Sequence, residues 1–395
     1  MINVEEAKKI ISNSCKESKI VRSTILSAVG YVLAQDVIAK INIPSFNNSA
    51  MDGYALRDID LKNGISTFNI LDDVKAGDNS NITVKKGECA PIFTGAMIPN
   101  GADTVIMVEK TAIINGKMKV DKDYKSKTGK HIRLLGEQIK KGEIAVKENT
   151  YISPAVASYL SALGETTISI YKPPKIKIIT TGNEIIKAGT NLELGQIYES
   201  NSTALLALLS EQKVKDITHN ICRDTNEEML NTLSDILEYD IVIITGGISV
   251  GKYDLVEEAL RKVGVKKEFY KVAQKPGKPL FFGTKENTLI FALPGNPAAV
   301  ITSYYQYIYP TIQKMMKREE TELKKMHVPL LDNISIKPNR ANFLKGKVKE
   351  NGVEVLFGQG SHILSSFSEA NSLIYLPKGK EEWKKGELVE AQILP

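Results

Sequence analysis

Three carboxylates recur at equivalent places in the second half of the chain. Glu184 ends Thr180-Thr-Gly-Asn-Glu184 just after the apolar run 175–180, and Asp224 follows the run 214–221. Asp254 follows 240–245 across Gly246-Gly-Ile-Ser-Val-Gly251. If these runs are strands of one open sheet, all three acids crowd one edge. Carboxylates facing anion-binding turns suit Mg²⁺-assisted phosphate chemistry, because the metal takes oxygen ligands and bridges to phosphate. Asp224 and Asp254 would serve equally as helix N-caps, an alternative that Glu184 does not have. The glycine-rich segment fits the first residues of a P-loop, but Tyr253 stands where a small hydroxyl must bind Mg²⁺. It also spells GxSxG around Ser249, yet no downstream Asp and His pair completes a triad. What remains is a turn presenting Gly246, Gly247 and Ser249 at a helix start, suited to hold an oxyanion. A plain β-to-α turn is the alternative.

Two rigid turns share the spelling P-G-x-P, Pro276-Gly-Lys-Pro279 and Pro294-Gly-Asn-Pro297. Proline fixes φ and glycine permits close approach, so such turns hold backbone near a ligand with little entropy left to lose. Lys275 and Lys278 add positive charge beside the first, and Pro294 and Asn296 offer a second contact at the sheet edge. Two polar stretches, Asn47-Asn-Ser-Ala-Met-Asp52-Gly-Tyr-Ala55 and Phe93-Thr94-Gly-Ala-Met-Ile-Pro99, interrupt β-type surroundings without naming a reaction.

The elements needed to present these groups are legible as patterns. Apolar spacing predicts helix through much of the first 40 residues, and Ser153-Pro154 predicts a capped helix ending before Gly164. Between 44 and 140 short β-type runs dominate, with a hairpin expected at Asn115-Gly116. From 175, strands at 175–180, 214–221, 240–245 and 287–293 alternate with amphipathic helices, two of them opened by Thr225-x-x-Glu228 and Asp254-x-x-Glu257. A helix over 298–316 closes this doubly wound α/β unit, and alternation beyond 328 predicts a β-domain.

At 395 residues the chain exceeds one core, since domains average roughly 150 residues. Its net charge of +6 forms no block, so a nucleic-acid partner is not expected. Cys15, Cys89 and Cys222 are far apart and form no CxxC pair, which fits a reducing, cytoplasmic setting. No apolar run approaches a membrane span, so no membrane partner is expected.

Taken together in order, these segments resemble the molybdopterin molybdenumtransferase family, that of MoeA and the gephyrin E-domain. The matching residues are Asn48-Ser-Ala-Met-Asp-Gly-Tyr-Ala55, Phe93-Thr-Gly-Ala96 with Pro99 and Gly101-Ala-Asp103, Arg133 with Gly136-Glu137, and Thr181-Gly-Asn-Glu184. They continue through Gly195-Gln-Ile-Tyr198 with Asn201, Thr245-Gly-Gly-Ile-Ser-Val-Gly251, Lys275-Pro-Gly-Lys-Pro279, Leu293-Pro-Gly-Asn-Pro297 and Gly360-Ser-His362 with Ser365-Ser366. The resemblance implies a homodimer of four-part α/β multidomain subunits. Its parts would be a discontinuous helical linking domain (1–44 and 141–173), a β-rich domain (45–140), a doubly wound MoaB/Mog-like molybdopterin-binding domain (174–326) and a C-terminal β-barrel-like domain (327–395).

The reaction it implies is Mg²⁺-dependent insertion of molybdate into adenylylated molybdopterin with release of AMP, the last step of molybdenum cofactor biosynthesis. Asp52, Glu184, Asp224 and Asp254 would form the acidic set at the phosphoanhydride, with Glu184 and Asp254 as Mg²⁺ ligands. Asp52 of the partner subunit would reach the α/β domain, with Thr94 as a second contributor. Lys275, Lys278, Pro279, Arg340 and Ser365 fit a tetrahedral dianion by type. The sequence departs from the family at Ala299, where a serine is frequent, at Gln138 after Gly136-Glu137, and at Thr225. Two other readings stand beside this one: a non-catalytic molybdopterin-binding scaffold, and a molybdopterin adenylyltransferase. Expected protein partners are the molybdopterin-adenylylating enzyme and apo-molybdoenzymes.

Overall fold

Runs of β-branched residues buried on both faces make a parallel sheet, because helices must cover each side. Ile176, Ile178, Ile179, Ile241, Val242, Ile243, Ile244, Ile290 and Phe291 are all fully buried. In the computed structural model, which describes residues 1–78, 81–248 and 255–395, the chain divides into two units. The first comprises Met1–Ser23, Ala28–Ala34 and Ser169–Pro395; the second comprises Thr24–Ser27 and Gln35–Ile168.

In the first unit, among the described residues, six strands run in the order Ile217–Cys222, Ile176–Thr181, Ile241–Thr245, Thr288–Leu293, Phe281–Lys285 and Lys266–Tyr270. The first four are mutually parallel, and the last two antiparallel. Register pairs Thr181 with Cys222, Thr180 with Thr245, and Thr245 with Leu293. The four parallel strands therefore end at one edge, where Glu184, Asp224, Gly246 and Pro294 follow. The helix Asn226–Thr232 starts at Thr225, whose side chain accepts from the Glu228 N–H at 3.3 Å. The expected capping box is half formed, since Glu228 Oε2 accepts from Arg223 N rather than from the cap residue.

Three expectations need adjustment. The strand expected at 214–221 begins at Ile217, because the helix Asn201–Glu211 exits through Lys213 in the left-handed region and a Val214-to-Leu209 hydrogen bond. The helix expected over 298–316 is observed as Pro297–Ser303, a π-helical turn at Tyr304–Ile308, and Tyr309–Met315. Near the start, Val4–Ser14 is helical behind an Asn3 N-cap, but Ile20–Thr24 is a strand and Ile25–Ala28 only one helical turn. The β-branched content of Ile20-Val21 and Ser23-Thr24 favours extension, and Gly30 at φ 92° ends the turn, leaving Leu33 bridged to Ile170.

The same unit carries a C-terminal sheet in which Ala341–Lys349 lies between Gln274–Lys275 and Ser372–Leu376, followed by Leu388–Ile393 and Lys325–Pro329. Val348 faces Val353 across the expected Glu350-Asn-Gly hairpin. Leu330, Val353, Ile374 and Leu376 form its core, each such side chain contributing about 1.5–3 kcal/mol by leaving water.

In the second unit, strands run in the order Thr104–Met107, Gly53–Leu56, Glu88–Ile92, Thr67–Ile70, Lys117–Val120 and Thr111–Ile114. Alternate residues serve two cores: Ala55, Ala90 and Val105 on one face, Leu56, Cys89 and Ile106 on the other. Asn115 and Gly116 make the expected hairpin turn, both with positive φ. The helix Pro154–Ala162 starts at its Ser153 cap, as its sequence predicts. Among the described residues no helix is long and apolar enough to cross a membrane.

Candidate functional site

The carboxyl edge of the parallel strands opens into a cavity of about 780 Å³ lying wholly within the first unit. Its walls include Thr180, Thr181, Glu184, Asn201, Asp224, Gly246, Gly247, both P-G-x-P turns, Arg340, Gln359, Ser361 and His362. Such a crevice, outside the carboxyl ends of parallel strands, is where open α/β sheets bind ligands.

One wall is acidic and hydroxylic. Asp224 is not the helix cap, because Thr225 is; its backbone N–H donates instead to Asn183 Oδ1 at 3.2 Å, tying the ends of two adjacent strands together. Among the described residues, Asp224 Oδ1 is buried without a hydrogen-bond partner, and the same holds for Thr181 Oγ1, Thr245 Oγ1 and Asn201 Oδ1. A buried polar atom left unpaired costs about 1–3 kcal/mol. Several close together fit a site whose hydrogen bonds are completed by water, an ion or a ligand. The backbone there leaves no room for side chains: Gly246 sits at φ +88°, and a Cβ would lie 2.3 Å from Thr181 O. Oxygen donors alone suit a hard cation such as Mg²⁺, which commonly takes one or two carboxylates and fills its shell with phosphate and water. Glu184 and Asp224 are the described residues able to hold it, and among the described residues no group of three metal-ligating side chains occurs.

The facing wall is cationic. Gln274–Lys275 pairs in parallel with Ala341–Asn342, and the Asn342 amide donates to Arg340 O at 3.0 Å, so Lys275 and Arg340 stand on neighbouring segments of the same sheet edge. Gln274, fully buried, donates from Nε2 to Pro276 O at 3.1 Å and accepts from the Tyr307 hydroxyl of the π-helical turn. These bonds fix the turn that carries Lys275, Lys278 and Pro279. Among the described residues, Arg340 Nε is a further buried atom without a partner. Across the cavity mouth, Asn201 Nδ2 donates to Gly295 O at 2.9 Å and Asn296 Nδ2 to Ser361 Oγ at 3.2 Å, holding the second turn from both sides.

In the second unit the two polar loops meet. Ser49 N donates to Ala96 O at 2.9 Å and Gly95 N to Ser49 O at 2.8 Å. Asp52 Oδ1 accepts from the Thr94 N–H at 2.7 Å and from its hydroxyl at 2.8 Å. The backbone bond first and the hydroxyl second hold the Asp52 carboxyl below its ordinary range, although both residues are exposed.

Of the residues singled out from sequence, Glu184, Asp224, Gly246, Gly247, Lys275, Lys278, Pro279, Pro294, Asn296 and Arg340 share this cavity. Asp52 and Thr94 pair in the other unit. Ser249 and Asp254 lie outside the described residues. Ser365 does not line the cavity: it opens the exposed helical turn Ser365–Glu369, and Ser361 and His362 stand at the wall instead. Thr181, Gln274 and Gln359 were not singled out, and Ala299, where the family often has serine, is part of the wall. Thr181 had a signal in Thr180-Thr-Gly-Asn-Glu184; Gln274 and Gln359 are unremarkable amides whose positions depend on distant pairing.

The fold and the cavity define a class: α/β proteins with a sheet-edge cavity lined by carboxylates and by cations, suited to an anionic small molecule. Residues 2–164 match the family model for the MoeA N-terminal region (domain I and II), 177–314 the one described as a probable molybdopterin binding domain, and 327–394 the MoeA C-terminal region (domain IV). The chain is 33% identical over 370 residues to the molybdopterin molybdenumtransferase of Haemophilus influenzae, covering 92% of this chain and 91% of that one. It is 30% identical over 403 residues to that of Staphylococcus epidermidis, covering 98% and 94%. The crystal structure of a molybdopterin biosynthesis MoeA protein from Pyrococcus horikosii matches with a TM-score of 0.86 at 26% identity, over 100% of this chain and 99% of that one. The chain belongs to the molybdopterin molybdenumtransferase (MoeA) family, transferases of molybdenum cofactor biosynthesis.

Proposed function

We propose that the chain inserts molybdate into adenylylated molybdopterin, with cleavage of the phosphoanhydride and release of AMP. The observation that supports this most is the pairing, in one cavity, of an unpartnered Asp224 oxygen with the cations Lys275, Lys278 and Arg340. The cationic wall and the rigid turns bind the tetrahedral dianion, because fixed donors already aimed at charge need no reorganisation. Pro279 and Pro294 keep those turns from relaxing, Asn296 adds a neutral donor on the second of them, and Gly246 and Gly247 line the cavity beside it, the Gly246 N–H itself being bonded to Leu293 O at 3.1 Å. Ser249 keeps its proposed role as a further anion contact, while the role proposed for Ser365 passes to Ser361, which stands at the wall.

Glu184, Asp224 and Asp254 hold Mg²⁺ or its water at the phosphoanhydride, with Glu184 and Asp254 as direct ligands. Bound there, Mg²⁺ supplies positive charge to the phosphate oxygens. The working unit on this reading is a cytoplasmic homodimer in which Asp52 of the partner subunit and Thr94 of the partner subunit complete the acidic set. Its four parts divide as 1–44 with 141–173, 45–140, 174–326 and 327–395. AMP release from adenylylated molybdopterin tests the reading: it should require both molybdate and Mg²⁺. Release without molybdate, or none with both present, would overturn it.

A further inference from the structure

The strand Ala341–Lys349 is buried on both faces over its first six residues, and one of these is a lysine. Lys345 is only 3% exposed. Its ammonium donates to three backbone carbonyls, Gly358 O at 2.6 Å, Ile363 O at 3.1 Å and Gly360 O at 3.4 Å. Among the described residues no carboxylate is recorded as pairing with it. A charge buried without a counter-ion is expensive and is kept only where something depends on it. Burial lowers its pKa accordingly.

What depends on it is the segment 358–363. Gln359 brackets the same lysine's backbone, accepting from Lys345 N at 2.9 Å and donating to Lys345 O at 2.9 Å. Ser361 accepts through its carbonyl from Ala298 N at 3.0 Å and through its hydroxyl from Asn296 Nδ2, joining this segment to the second rigid turn. Gln359, Ser361 and His362 are wall residues of the cavity. An apolar side chain in place of Lys345 would remove the donor these three carbonyls share, leaving Gly358 O to Ser366 and Gly360 O to the Ile363 N–H, and would loosen the segment from the strand below.

We propose that Lys345 is a positioning residue, whose ammonium pins the 358–363 wall against the second P-G-x-P turn and so shapes the oxyanion end of the cavity. This rests on the reading that the cationic wall binds an oxyanion.

The test is equilibrium binding, by calorimetry, of molybdate and, separately, of AMP to the full-length protein and to Lys345→Met, which keeps the side chain's length without its charge. The expected result is a rise of about tenfold in the molybdate Kd with the AMP Kd within about twofold, and Lys345→Arg recovering part of the loss. Unchanged molybdate binding, or equal weakening of both ligands, overturns the proposal, as does a wild-type protein that binds no molybdate. Should Lys345→Met fail to fold, Ser366→Ala removes the neighbouring donor to Gly358 O (2.9 Å) and leaves the lysine in place. A selective rise of about threefold then supports the proposal, and no rise overturns it. A wild-type protein that binds molybdate but never releases AMP refutes the proposed reaction alone.

Discussion

Asp52 and Asp224 are the same residue type assigned to the same chemistry, yet they sit in opposite states. Asp52 is exposed and satisfied within its own unit, both bonds coming from Thr94. Asp224 is half-buried, with its Oδ1 covered and, among the described residues, unpartnered. A satisfied, exposed carboxylate is oriented but carries no debt, and it can act wherever its loop is presented. A covered oxygen without a partner is held in place by the fold, so a ligand that supplies one relieves a cost when it arrives. Preorganisation of the second kind is what electrostatic catalysis relies on.

The contrast is open to mutation, and the largest effect should fall on Asp224. Asp224→Asn should lower molybdate-dependent AMP release about a thousandfold while the thermal midpoint stays level, because Asn keeps the shape and Oδ1 has no partner among the described residues to lose. A falling midpoint in a scan would mean that the carboxylate is structural. Asp52→Asn should cost about a hundredfold in the same assay. Mixing Asp52→Asn and Asp224→Asn chains under exchange should restore about a quarter of wild-type activity if each site takes Asp52 from a second copy. No recovery would confine both residues to one chain.

Thr94→Val should be smallest, about tenfold or less, since the backbone N–H still holds Asp52. Its clearest sign is electrostatic. The folded carboxyl of Asp52 titrates below its unfolded value, so the loop pair's contribution is complete above the ordinary carboxylate range and is lost as pH falls through the folded value. In Thr94→Val the Asp52 resonance should titrate at higher pH than in wild type, still below the ordinary value; an unchanged titration would remove the hydroxyl from the account.

Much of this was readable along the chain because it depends on neighbours in sequence. Isoleucine-rich runs bounded by turns predict parallel strands, and the carboxylates, glycines and P-G-x-P turns that follow those runs must fall at one edge. Ser153-Pro154 and Asn115-Gly116 act through local backbone preference, and both elements form as their residues dictate. The first 40 residues show where periodicity misleads, since Ile25, Leu26, Val29 and Leu33 keep helical spacing while Ile20–Thr24 extends and Gly30 ends the helical turn.

Tertiary structure alone decided which of these groups are satisfied. Register between strands more than 30 residues apart leaves Asp224 Oδ1 and Thr181 Oγ1 without partners among the described residues, and a loop pairing across 42 residues gives Asp52 both of its own. Position in the C-terminal sheet likewise buries Lys345, which alternation would read as a solvated lysine, and brings Ser361 rather than Ser365 to the wall. Spacing sets the period of an element and hence which residues share a face. Hydrogen-bond satisfaction is set by whatever the rest of the chain packs against that face, and no local pattern encodes it.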